Sequence, residues 1–177
     1  MSQPGPPPPF AELLAQCTTS AVHLETRDVY AVDEEDQDLK AWRAGELAGT
    51  ADRSVWWGPF HDAIAAAVAR GVVVQRARVV STPATEYIRF EHACTPRNIA
   101  AGEDVRWVPR GQALGLLLPA HDFWLFDGQL IRWHHFAGDG THLRDELDER
   151  TDVAAQTAAA FRTVWDRAVP HREFTIS

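Results

Sequence analysis

Within residues 121–142 the chain carries His121, His134, His135 and His142, interleaved with Asp122, Asp127, Asp139, Trp124 and Trp133. Imidazoles titrate near neutrality and ligate metals, so two held together can act as base and acid on one substrate or as part of a metal site. Asp127-Gly128 is the two-residue type I′ hairpin signal. With those residues as the loop, Phe126 pairs with Gln129; counting outward sets His121 opposite His134 and turns His135 to the other face. Directly opposed residues have Cβ atoms about 5 Å apart, which makes His121 and His134 the candidate catalytic pair. A metal needs a closed set of three or four ligands. A third would come from Asp139 or His142, and two histidines alone assign no metal. The competing reading is an ordinary half-exposed strand.

Arginine is the second chemical resource. Of 17 basic residues only Lys40 is a lysine, and Arg76, Arg78, Arg89, Arg97, Arg106, Arg110 and Arg132 fall in or near the expected sheet and its helix. A guanidinium fork suits carboxylate or phosphate, although most exposed arginines simply pair with neighbouring acids at little energetic gain. Arg78 and Arg89 flank a strand–helix junction, the place where open α/β sheets hold ligands. Tyr87, Trp107, Asp122, Trp124, Trp133 and His135 complete the expected ligand-binding set. Other chemistries lack their residues: there is no G-x-G-x-x-G, P-loop or G-x-S-x-G elbow, and Cys94-Thr95-Pro96 is a helix end with no evident base. No cofactor is expected.

These groups must be positioned by a mixed set of elements. Residues 10–17 read as a short helix with Phe10, Leu13, Leu14 and Cys17 on one face, and residues 20–27 alternate like a strand. The acidic run 33–36 suits a helix start, residues 46–54 a loop, and Gly58-Pro59 the opening of a helix that Gly71 closes. The run VVVQRARVV (72–80) is β-branched and strand-like. Thr82 and Pro83 should open the next helix, Thr95-Pro96 should break it, and Gly102 should end the turn that follows. A strand at 104–108, the hairpin, and a final helix over 152–169 complete an α/β (mixed α+β) domain: one mixed sheet flanked by helices over residues 10–177, behind a disordered proline-rich tail at 1–9.

Composition narrows the class. A chain of 177 residues with 45% hydrophobic and 24% charged residues is globular and large enough for one core. A net charge of −8 disfavours nonspecific binding to nucleic acid or anionic membrane. The two cysteines are too few for a disulfide framework. No run of about 18 apolar residues suggests a membrane span, and a cytoplasmic location is expected.

The segments QRARVVSTP, TEYIRFE, NIAAGEDVRWVPR, HDFWLFDG and RAVPHREF resemble domain-of-unknown-function family 6879 of actinobacteria, over about residues 10–174. That resemblance implies Streptomyces-like genomic surroundings with helix-turn-helix regulators nearby, and no catalytic residues. A weaker similarity is to one half of a phospholipase-D-like domain, whose H-x-K-x4-D motif uses histidine as nucleophile and lysine to hold phosphate. His121 fits the histidine; Phe123 stands at the lysine, and Asp127 falls one residue early. The similarity implies a degenerate half without phosphodiesterase chemistry. The expected function is a non-catalytic regulatory or interaction domain that works with a helix-turn-helix partner and senses a small anionic ligand. The alternative is a small-molecule enzyme of secondary metabolism using the histidine pair in a Trp/Arg-lined pocket. A homodimer is compatible with either.

Overall fold

A computed structural model describes residues 7–31, 36–47 and 49–177. The first six residues of the expected tail, and residues 33–35 of the acidic run, lie outside the described residues. The chain is a mixed α/β domain. Among the described residues there are seven strands, β1 (Ser20–Glu25), β2 (Val73–Val80), β3 (Asp104–Pro109), β4 (Asp122–Phe126), β5 (Leu130–Phe136), β6 (His142–Asp148) and β7 (Val169–Pro170). They form one sheet in the order β6-β5-β4-β1-β2-β3-β7. β1, β2 and β3 run parallel, and the other pairings are antiparallel.

Helices α1 (Phe10–Gln16), α4 (Pro59–Ala69) and α5 (Glu86–Ala101) cover one face, and α6 (Thr151–Trp165) covers the other; α2 (Asp36–Arg43) and α3 (Arg53–Trp56) are shorter. The strand period of two sorts the side chains. Leu24, Ala77, Val79, Phe123, Leu125 and Ile131 pack on Phe161 and Val164 of α6. Ala21, Val74, Trp124 and Phe126 pack on Leu13, Leu14, Ile64 and Ala67.

Local boundaries move where tertiary bonds outbid the local signal. Ser81 donates through its N–H and hydroxyl to Asp28, which holds residues 81–84 out of the helix. α5 therefore starts at Glu86, and Thr85 is its cap, accepting from the Ile88 N–H at 3.2 Å. Pro96 does not break α5: it removes one backbone donor, while Thr95 and Arg97 on either side are buried and keep the helix on the sheet. Gly102 ends α5 at φ 111°, where a Cβ would come within 3.0 Å of Val68. The expected loop at 46–54 ends in α3, capped by Asp52 on the Ser54 N–H.

The largest correction is the hairpin. Its loop has three residues, and Phe126 faces Leu130 rather than Gln129. The Asp127 carboxylate accepts from the backbone N–H groups of Thr18, Thr19 and Ser20, and its own N–H donates to the Ser20 carbonyl. The turn is thus clamped to the start of β1, with Asp127 itself at φ 50°. A one-residue slip exchanges every partner. Asp122 now faces His134 and Phe123 faces Trp133. His121 meets His135, with ring centroids 4.5 Å apart, and the expected His121–His134 pair does not form.

Candidate functional site

Where α1 and α4 give way to α5, four adjacent strands present polar residues instead of core. β1 supplies His23 and Glu25, β2 Arg76 and Arg78, β4 Asp122 and Trp124, and β5 His134 and Phe136. Register fixes this surface: His23 lies between Arg76 and Trp124, Glu25 lies beside Arg78, and Asp122 beside His134. With Trp56, Phe60, Tyr87, Phe90 and Glu91 from the helices and Tyr30 from a loop, they enclose a cavity of about 550 Å³.

Its arginines are committed. Arg78 donates from Nε to Glu25, from one terminal nitrogen to Thr95 Oγ1 at 3.0 Å, and pairs with Glu91 through the other. Arg76 pairs with Glu25 at 2.8 Å and with Glu103 at 3.1 Å. Burial opposes the charge of Glu25, but Arg78 and Arg76 hold its carboxyl well below the usual carboxylate range. Burial raises the Asp122 carboxyl, which accepts from Thr26 and from the Tyr30 hydroxyl. Burial likewise pushes Tyr30 well above the normal phenol value, with Asp122 adding to it. His23 is driven by burial from 6.5 down to about 3, so it is a neutral imidazole; its Nε2 lies 3.1 Å from Glu25 and carries the proton.

Among the described residues, four cavity-lining side chains keep a buried polar atom without a protein partner: His23 Nδ1, Trp56 Nε1, Arg76 Nε and His134 Nε2. Trp56 and Arg76 offer N–H donors. His23 Nδ1 is an acceptor, and so is Nε2 of a neutral His134, whose Nδ1 lies 2.7 Å from Asp145. Such atoms cost about 1–3 kcal/mol each when left unsatisfied. Aromatic rings wall the space: His23 stacks on Trp124 with centroids 4.4 Å apart, and Phe60 lines it beside them.

The expected site residues fall in four places. Arg78, Tyr87, Asp122, Trp124 and His134 line this cavity. His121, Trp133 and His135 line a second, largely apolar groove of about 880 Å³ on the α6 face: strand alternation sets Trp133 and His135 opposite in face to His134, and the slipped register sends His121 to join them. Arg89 is exposed on α5. Trp107 is fully buried beneath Arg78 and donates from its indole to His171 at 3.2 Å. Sequence reasoning missed His23, Glu25, Trp56 and Glu91. The period-two pattern of β1 does set His23 and Glu25 on the face opposite Val22 and Leu24, which is the signal that reveals them. One further cluster lies at the sheet edge, where His134 Nδ1, His142 Nε2 and Asp145 Oδ1 come within 4.8 Å of one another.

The phospholipase-D positions are structural. Phe123 is wholly buried in the α6-side core, Asp127 clamps the hairpin, and His121 points away from the polar cavity. The fold nonetheless matches that class. The phospholipase D family member Nuc of Salmonella typhimurium superposes with a TM-score of 0.50 at 11% identity, covering 90% of this chain and 86% of that one. NucT of Helicobacter pylori gives 0.50 at 9% identity, covering 90% and 87%. The archaeal chromatin protein TrmBL2 gives 0.48 at 12% identity over 89% of this chain, which spans about half (47%) of that protein. Identities this low carry the fold alone. No curated protein matches the chain in sequence. The family model matching residues 8–176 spans every described element of the fold, and the chain belongs to the family described as Domain of unknown function (DUF6879).

Proposed function

We propose that the chain is a non-catalytic sensing domain whose polar cavity binds a small, planar, uncharged nitrogen heterocycle. The carrying observation is that His23, Trp56, Arg76 and His134 each bring an unpartnered buried polar atom to one aromatic-walled cavity of about 550 Å³. Two donors and two acceptors around flat walls suit a ring whose edge offers both kinds of group. The commitment of Arg78 to Glu25 and Glu91 argues against a bare anion, so this reading keeps the expected sensing role and changes the ligand. A helix-turn-helix regulator is, on this proposal, the partner that reads occupancy.

Thermal-shift and calorimetric titration of the full chain, with adenine, guanine and cytosine against inorganic phosphate, tests the reading. A heterocycle should bind, and Trp56→Phe, which keeps a ring but removes the N–H, should weaken it about tenfold, the value of one hydrogen bond. Stabilisation by phosphate alone, or a heterocycle affinity indifferent to Trp56→Phe, overturns it.

The enzymatic alternative relocates with its histidines. The pair available is His121 and His135, in the groove walled by Trp133, with His135 Nε2 3.2 Å from Glu146.

A further inference from the structure

β5 and β6 pair regularly until His135 faces Arg144; beyond it Phe136 faces His142, so β6 carries one extra residue, Leu143. A bulge of this kind re-aims the side chain that follows it. Three residues apart on a regular strand, His142 and Asp145 would point to opposite faces. The bulge turns His142 onto the face of Phe136, which is also the face of His134 and of its cross-strand partner Asp145. His134 Nδ1 then lies 2.7 Å, and His142 Nε2 2.8 Å, from the same oxygen, Asp145 Oδ1.

The other Asp145 oxygen is taken. Arg132 grips Oδ2 from Nε at 2.9 Å and from a terminal nitrogen at 2.6 Å, which fixes the carboxylate and directs Oδ1 at the two imidazoles. Outer partners of this sort orient metal ligands. The side chains of Asp145 and His134 are 10% and 16% exposed and that of His142 is 44%, so the cluster is anchored at the back and open to solvent at the front.

We propose that His134 Nδ1, His142 Nε2 and Asp145 Oδ1 bind one divalent transition-metal ion, zinc being the best match, with a fourth position left to solvent. Tetrahedral zinc with bonds of about 2.0–2.1 Å sets its ligands about 3.3 Å apart. The three atoms here span from 2.7 Å to no more than 4.8 Å, so modest rotations about the side-chain bonds suffice. Two imidazoles and one carboxylate select zinc, cobalt or nickel over the oxygen-seeking magnesium and calcium. Three protein ligands with one open position is the pattern of a site that also takes an exogenous molecule.

The site stands apart from the cavity's ligand but touches it through His134. A metal on Nδ1 leaves the proton of a neutral imidazole to Nε2, the atom that His134 keeps without a partner among the described residues at the cavity.

Tag-free full-length protein, stripped with chelator and dialysed, is titrated with zinc by calorimetry and with cobalt by visible absorption. One equivalent should bind, with cobalt bands characteristic of four-coordinate geometry. His142→Ala, a half-exposed change that spares the fold, and Asp145→Asn should each weaken zinc at least about tenfold. His121→Ala should leave binding unchanged. Absence of binding, or binding that survives His142→Ala, or loss with His121→Ala instead, overturns the proposal.

Discussion

Arg78 of β2 lies directly beside Glu25 in the parallel β1–β2 register, and its Nε donates to the Glu25 carboxylate beneath the cavity. The same carboxylate takes Arg76 on its other oxygen. Removing one partner of a buried pair leaves a charge without compensation, which costs about 3–5 kcal/mol. Glu25→Ala should therefore lower unfolding free energy by up to that amount in urea titration, since Arg78 and Arg76 each lose one of two carboxylate partners and keep only Glu91 and Glu103. A loss below about 1 kcal/mol would show the network to be solvated.

Acid should destabilise the fold from an unusually high pH. Burial lowers His23 from 6.5 to about 3, and His171, also lowered by burial, falls to about 4. Between those values the unfolded chain binds protons that the folded chain refuses. Stability is thus intact above about pH 6.5 and lost as pH falls through the window. Between pH 6.5 and 5, His23 alone should contribute about 2 kcal/mol of loss. Denaturant midpoints across that range measure it, and His23→Phe, which retains a ring against Trp124, should flatten the slope. A wild-type profile already flat from pH 7 to 5 contradicts the assignment.

Asp127 should matter as a clamp. Its carboxylate ties the hairpin to the N–H groups of Thr18, Thr19 and Ser20. Asp127→Asn preserves tolerance for the φ of 50° while removing the charge and one acceptor oxygen. A loss of about 1–2 kcal/mol is expected; a neutral substitution would mean that core packing alone holds the register.

No turnover of a chromogenic phosphodiester should be detectable. Phe123 holds no phosphate oxygen, and the absence of a cation at a developing charge costs about 3 kcal/mol or more of transition-state stabilisation. Hydrolysis above the buffer rate that disappears in His121→Ala would reverse this.

The mixed α/β class, the strand at β2, the helix after Gly58 and the inward stripe of α6 were legible in the chain itself, because hydrophobic period and turn chemistry are local properties. The resemblance to family 6879 was legible for the same reason: its motifs are contiguous. The charged strand β6, HLRDELD, escaped because its outward residues are polar on an edge and carry no alternating apolar signal. The site was decided in three dimensions. Asp127 reaches back over a hundred residues to Thr18, lengthens the turn by one residue, and so separates His121 from His134. A bulge at Leu143 brings His142 to the face of His134 and Asp145. Neither event has a local signature, since each depends on which strand the chain meets after folding, and a single-residue change of register suffices to exchange the two faces of a sheet.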